Sequence, residues 1–319
     1  PDSGPGITGI SYGIMRILPL PLQQLLHLIT VIIITKRVVP RELVNLVIIA
    51  LPKGSAMVGG MQGCRPISLY EVVLKIATGI VHGKMRTILH ERCLLHDRQI
   101  FNTRHRGVQE ALTLVLTAIG RSIEAGRPIY MASTDIKAAF PTVGHWFLRY
   151  VLEGKGAPPC MVEFYLLADT GGTFRMRVGK GYSQPHQKSE IGIGQGEKGS
   201  PEKYVISIDP ILRYLWHYRR HGLWIGEGAP PKLPPGAHPL MAGEGADKWL
   251  VAILFCDDMF YVSGTAPGLQ TLLHKAGEVY DFAGSQQVAY KSYAGASVTM
   301  PNASVRITAN SGDLSAVIN

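Results

Sequence analysis

Two apolar runs, Trp249 to Phe255 and Met259 to Ser263, read as strands that meet at Asp257-Asp258, an acidic doublet carried on a hairpin. A third carboxylate, Asp135, stands at the C-terminal end of another strand, Ile129 to Thr134, far earlier in the chain. Two carboxylates at a strand turn and a third delivered by a separate strand are the hard oxygen donors that can hold two magnesium ions for nucleotidyl transfer. Alone, the doublet also fits a solvated turn, where aspartate is common.

Charge points the same way. The chain has 319 residues, 46% of them apolar, enough for one large domain or two interleaved subdomains with a substantial core. Its formal net charge of +9 favours an acidic partner, a polyphosphate or nucleic acid, although many basic enzymes bind neither. Cys64, Cys93, Cys160 and Cys256 lack the paired spacing of a zinc site or disulfide framework, so a reducing compartment is expected. The most apolar stretch, Leu25 to Leu51, is interrupted by Lys36, Arg37, Arg41 and Glu42 and broken by Pro40. It therefore reads as a core helix followed by a buried strand, not a membrane span. Pro1 to Gly9 resembles a loop inside a domain, so no signal peptide is expected and the chain reads as cut from something longer.

Along the chain, Leu43 to Leu51 is a Val/Ile-rich strand ending at Pro52, and Gly54 to Gly63 makes a loop or hairpin. Leu69 to His90 and Val108 to Ile123 carry apolar residues at helical spacing, the second stopped by Gly126. His145 to Glu153 and Met161 to Ala168 read as helices, and Thr173 to Val178 alternates as a hairpin strand. Tyr182 to Ser200 is rich in glycine and polar residues and reads as a flexible approach to a helix opening near Pro201, with Ser200 as its cap. Glu227 to Gly245, rich in Pro and Gly, reads as a surface insertion.

Five blocks in order carry a family resemblance: Arg65-Pro66-Ile67-Ser68-Leu69; Asp135-Ile136-Lys137-Ala138-Ala139-Phe140; Gln195-Gly196 with Ser200-Pro201; Phe255-Cys256-Asp257-Asp258; and Lys291 after a turn containing Gly284. The chain resembles the reverse transcriptases over about Gly4 to Met300. The hairpin-like piece Gly172 to Gly181 is similar to the non-long-terminal-repeat retrotransposon enzymes in particular.

That resemblance implies RNA-directed DNA synthesis with an RNA template, a DNA primer, deoxynucleoside triphosphates and two magnesium ions, manganese being the alternative metal. Asp135 and Asp257 would bridge the ions, the backbone carbonyl of Ile136 would add a ligand, and Asp258 would support them. Phe140 falls at the position of a steric gate against a ribose 2′-hydroxyl, and Arg65 and Lys53 would bind the triphosphate. Gln195 and Gly196 match the template and nucleotide contact, and Lys291 the lysine that protonates leaving pyrophosphate. Each has a plainer reading: Phe140 as core packing, Arg65 and Lys53 as surface charges, Gln195-Gly196 as a loop before a capped helix.

Departures from the family pattern are Cys256 where alanine is common, Pro141 where retrotransposon relatives usually have aspartate, and Glu197-Lys198-Gly199 in place of a more apolar stretch. The last two would bear on nucleotide affinity and fidelity. The fold class expected is α+β: a palm of ferredoxin-like antiparallel sheet backed by helices, with a fingers subdomain and a missing or incomplete thumb. The corresponding division is residues 1–126 as fingers with part of the palm, 127–300 as palm, and 301–319 as a truncated tail. Two rivals stay open, a catalytically silent RNA-binding, maturase-like derivative and an RNA-directed RNA polymerase. Against the latter stand Phe140 and the lack of glycine before the Asp pair. Intracellular, nuclear action follows if the host is a eukaryote; no membrane partner is expected, and the sequence does not fix an oligomeric state.

Overall fold

The computed structural model describes residues 4–53, 63–103, 106–230 and 248–285, and the backbone of 287–296, 304–309 and 312–317. Helices α1 (Tyr12–Arg16), α2 (Leu20–Lys36) and α3 (Arg41–Val44) lead into strands β1 (Leu46–Pro52) and β2 (Cys64–Leu69). Helices α4 (Val72–Glu91) and α5 (Val108–Glu124) precede β3 (Tyr130–Ile136), which is followed by a 3₁₀ turn at Phe140–Thr142. Next come α6 (His145–Gly154), α7 (Pro159–Thr170), β4 (Thr173–Val178), β5 (Gly181–Tyr182), β6 (His186–Gln187) and α8 (Ser200–His217). Strands β7 (Leu223–Trp224), β8 (Trp249–Leu250), β9 (Ala252–Phe255) and β10 (Asp258–Ser263), helix α9 (Ala266–Phe282), and strands β11 (Gln287–Ala296), β12 (Ser304–Ala309) and β13 (Gly312–Val317) complete the order. Among the described residues, no helix is long and apolar enough to cross a membrane.

The chain divides into two compact units, each built from separated segments. Unit one is Pro1–Leu94 with Phe140–Tyr204, and unit two is Leu95–Ala139 with Val205–Asn319.

In unit one the sheet runs β2-β1-β4-β5, with β6 also paired to β4. β1 and β2 are antiparallel from Val47↔Leu69 to Pro52↔Cys64, whereas β4 lies parallel to β1 from Leu46↔Phe174. Residues 54–62, most of the expected Gly-rich loop, lie outside the described residues. One apolar cluster gathers Val44, Leu46, Tyr70, Leu74 and Ala168, and another Ile33, Ala77, Val81 and Phe164.

Three expectations for this unit are corrected. Helix α2 is not a core helix: only Thr30 and Ile33 are buried, while Leu20, Leu22, Leu25, Leu28 and Ile32 are exposed. Its apolar residues occur all round the helix, so no stripe marks the covered side. Leu43 and Val44 close or belong to α3, which Pro40 starts, and Leu69 ends β2; the second residue after it, Glu71, flanks the start of α4. The segment Tyr182 to Ser200 is held at several points: Lys188 Nζ donates to the carbonyls of Val44 and Ala168 at 2.7 Å each, and Gly194 N donates to Asp169 Oδ1 at 3.1 Å. Ser200 is itself helical, and its hydroxyl donates to the Gly194 carbonyl at 2.5 Å instead of capping α8.

In unit two the antiparallel sheet runs β11-β3-β10-β9. Taken in chain order its strands lie 4-1-3-2. Part of α8 intervenes between the first and second strands, and α9 between the third and fourth, the β-α-β-β-α-β pattern of a ferredoxin-like layer. Ala118 and neighbouring residues of α5 pack with Ile100, Ile129, Leu223, Leu250, Ile253 and Val262. Leu269, Leu272, Leu273, Ala276 and Tyr280 give α9 a continuous buried stripe, and the Tyr280 hydroxyl meets Met259 Sδ at 3.9 Å. This is the expected α+β palm, a sheet backed by helices. Residues 231–247, most of the Pro/Gly-rich insertion, lie outside the described residues.

Candidate active site

The acidic doublet sits where the sequence placed it. β9 and β10 pair with Asp258 opposite Phe255, leaving Cys256 and Asp257 as a two-residue turn. Cys256 occupies the left-handed region at φ +59°, a conformation that costs a residue with a Cβ and persists only where its surroundings enforce it. Burial, and then the adjacent Asp257, push the Cys256 thiol up to about 12.

β10 also pairs with β3, with Met259 opposite Thr134. Asp258 precedes Met259 and Asp135 follows Thr134, so the two carboxylates lie at the same end of this antiparallel pair. Along β3 the buried positions are Tyr130, Ala132, Thr134 and Ile136, which puts Asp135 on the half-exposed face. Proximity is felt electrostatically: burial, then the charges of Asp257 and Asp135, raise the Asp258 pKa above its usual 3.8. Hard carboxylate oxygens of this kind suit magnesium, which takes one or two protein carboxylates and completes its shell with water and phosphate. Among the described residues, no three acidic, histidine or cysteine side chains form a metal cage by themselves. On the other side of β3, β11 sets Val288 opposite Asp135 and then shifts register before Tyr293. Lys291 falls within that shift; its side chain lies outside the described residues.

The remaining predicted residues gather in unit one. Ser68 N donates to the Gln195 carbonyl at 2.6 Å, and Ile67 bridges to Gln195, so the strand bearing Arg65 runs beside the Gln195-Gly196 loop. Gly196 has φ +129°, and a Cβ there would meet the Ser68 carbonyl oxygen at 2.3 Å. The close approach expected at this glycine is therefore made by the protein's own backbone. Ile193 N donates to the Phe140 carbonyl at 3.0 Å, and the Phe140 ring stacks on Tyr204 with centroids 4.9 Å apart. Arg65 is exposed opposite Leu51, and Lys53 is exposed at the end of the same strand pair. The structure thus joins Arg65, Phe140, Gln195 and Gly196 in one unit, and Asp135, Ile136, Asp257 and Asp258 in the other.

Sequence reasoning missed a buried charge network beneath the Gln195-Gly196 loop. Lys203, fully buried, bonds Asp169 Oδ2 and Glu197 Oε2 at 2.6 Å each. Asp169 Oδ1 accepts from Gly194 N and from the Tyr70 hydroxyl, at 3.1 and 3.3 Å. Glu197 also meets His82 Nε2 at 3.0 Å, and the neighbouring Glu202 takes bonds from Arg86 at 3.0 Å and Tyr165 at 2.6 Å. Burial would raise the Glu197 pKa, but Lys203 and His82 hold it well below the carboxylate range. Burial opposes a charged His82, yet Glu197 and Glu202 raise it above 6.5. Glycine is required at 199, since a Cβ there would lie 2.1 Å from the His82 ring. The only sequence trace of the network was the unusual Glu197.

No family model matches the sequence. Over 211 residues, 66% of this chain, it is 26% identical to the "Retrovirus-related Pol polyprotein from type-1 retrotransposable element R2" of Nasonia vitripennis, of whose length it spans 18%. The fold aligns with apo telomerase from Candida tropicalis truncated from its C-terminal domain, covering 87% of this chain and 54% of that one at a TM-score of 0.55 and 13% identity. Telomerase from Candida albicans in complex with a fragment of telomeric RNA aligns over 84% of this chain and 44% of that one, at a TM-score of 0.53 and 11% identity. Fold and sheet topology together define a right-hand polymerase architecture with a palm-type sheet. Within that class, the similarity to the R2 polyprotein supports a reverse-transcriptase domain of the non-long-terminal-repeat type.

Proposed function

We propose that this domain is an RNA-directed DNA polymerase, extending a primer 3′-hydroxyl with deoxynucleotides on an RNA template. The observation that carries this reading is the set of carboxylates at one end of the β3–β10 pair, on a palm-type sheet with R2-like sequence similarity. Asp135, Asp257 and the Ile136 carbonyl would hold two magnesium ions, with Asp258 as the supporting carboxylate. Bound magnesium supplies activation of the 3′-hydroxyl and charge stabilisation of the departing pyrophosphate. Arg65 and Lys53 bind triphosphate oxygens, the guanidinium as a fork and the ammonium as a point charge. Phe140, its ring fixed against Tyr204, closes the space a 2′-hydroxyl would need. Gln195 and Gly196 contact template and nucleotide, and Lys291 gives a proton to pyrophosphate as it leaves.

Primer extension on a primed RNA template with magnesium tests this reading. Incorporation of deoxynucleotides in preference to ribonucleotides is expected. Asp257→Asn should lower the rate by about 10³-fold or more while leaving RNA binding in place, since it removes charge stabilisation at the reacting phosphoryl group. RNA binding without any extension by the parent chain would instead favour a silent RNA-binding derivative.

A further inference from the structure

The hairpin of β4 and β5 takes no part in the chemistry above. From Thr170 to Ser189 the sequence has no acidic residue, yet it holds Arg175, Arg177, Lys180, His186 and Lys188. β4 turns through Gly179 and Lys180 into β5, with Val178 opposite Gly181 and Arg177 opposite Tyr182. Gly179 adopts φ +59°, as the first position of a two-residue Gly-X hairpin turn demands.

Alternation along β4 puts Arg175 and Arg177 on one face, and Phe174 and Met176 on the other. Phe174 packs against the cluster of Val44, Leu46 and Tyr70, so the arginine face points outward, and both arginines are exposed. Tyr182, as the cross-strand partner of Arg177, shares the arginine face and is 54% exposed. Among the described residues, no carboxylate pairs with Arg175, Arg177 or Lys180.

The ribbon is firmly seated. β4 lies parallel to β1, Thr173 N donates to Asn45 Oδ1 at 2.8 Å, Met176 N donates to the Ser183 hydroxyl oxygen at 3.0 Å, and Ser183 N donates to the Met176 carbonyl at 2.8 Å. Two arginines on the same face of a fixed strand, their Cα positions about 7 Å apart, a lysine at the turn and an open aromatic ring form a compact electropositive surface with a stacking face.

We propose that the outer face of this hairpin grips single-stranded RNA, with Arg175, Arg177 and Lys180 on successive phosphates and a base stacked on Tyr182. The choice of RNA rests on the polymerase reading; the grip itself needs no catalysis.

The test is fluorescence-anisotropy titration of the 319-residue chain with a labelled, unstructured pyrimidine RNA longer than the roughly 4–16 nucleotides of a single-strand site. Arg175→Gln with Arg177→Gln should weaken binding by about 10-fold and reduce the slope of log affinity against log salt by about 1.4, two phosphates at 0.7 each. Tyr182→Ala should weaken binding by about 5-fold or more at unchanged salt slope. A double lysine replacement of the arginines, which keeps both charges, should restore the slope and provides the comparison if the glutamine variant melts early. Parent-like affinity and slope in all these variants, or loss confined to duplex RNA, would overturn the inference. Primer extension run in parallel separates the two readings. Arginine-dependent binding by a parent chain that extends nothing upholds the grip and sinks the polymerase; extension with arginine-independent binding does the reverse.

Discussion

Lys203 has no contact with water and stands between two carboxylates, Asp169 and Glu197, that are equally buried. Removing one partner of a buried ion pair leaves an uncompensated charge in a low-dielectric interior, a loss of about 3–5 kcal/mol. Lys203→Met should therefore lower the thermal midpoint of the chain sharply, measured by calorimetry, whereas the exposed neighbour Lys198→Met should not move it. Asp258 presents the opposite case. Its folded pKa is raised, so the folded state holds that proton more tightly than the unfolded chain, and stability rises as pH falls through the raised value toward 3.8. At neutral pH the ionised side chain works against folding. Asp258→Asn is accordingly expected to raise the thermal midpoint near neutral pH, with the gain shrinking on acidification through that window. A melting series over pH, parent against variant, reads the sign directly.

At the level of single elements, local pattern was legible where one face is wet and the other dry. β4 begins and ends at Thr173 and Val178 as alternation required, and α6 starts at His145 as expected. The Asp257-Asp258 hairpin was equally plain, because two apolar strands can meet at an acidic pair only by turning there. Helix α2 was misjudged because burial of an evenly apolar helix is decided by its neighbours, which a local pattern does not contain. The charge network was invisible for the same reason: His82, Asp169 and Lys203 are distant in sequence, and each alone resembles a surface residue. Gly196 shows what the loop conformation depends on. Its φ of +129° and the Ser68 oxygen 2.3 Å from a would-be Cβ make Gly196→Ala both strained and overpacked, at a cost of about 1–3 kcal/mol. The variant should lose that much in urea unfolding, while Gly120→Ala, with open space around it on α5, should not.

At the scale of the whole chain, the two compact units exchange segments at Leu94/Leu95, Ala139/Phe140 and Val205 following Tyr204. Local sequence patterns carry no mark of such interleaving, since each crossing falls within ordinary loop or helix. The consequence is that unit one cannot be made from the N-terminal stretch alone. Residues 1–126 contain β1, β2 and α4 but lack β4, which pairs with β1, and α7, which supplies Phe164 and Ala168 to the apolar clusters. They would also leave His82 and Arg86 without Glu197 and Glu202. A fragment of residues 1–126 should therefore show no cooperative thermal transition, while its co-expression with 127–319 restores one. A sharp transition in the isolated fragment would mean that the segment Phe140–Tyr204 is dispensable to the fold of that unit, against the pairing of β4 with β1 and the burial of Lys203 beneath the Gln195-Gly196 loop.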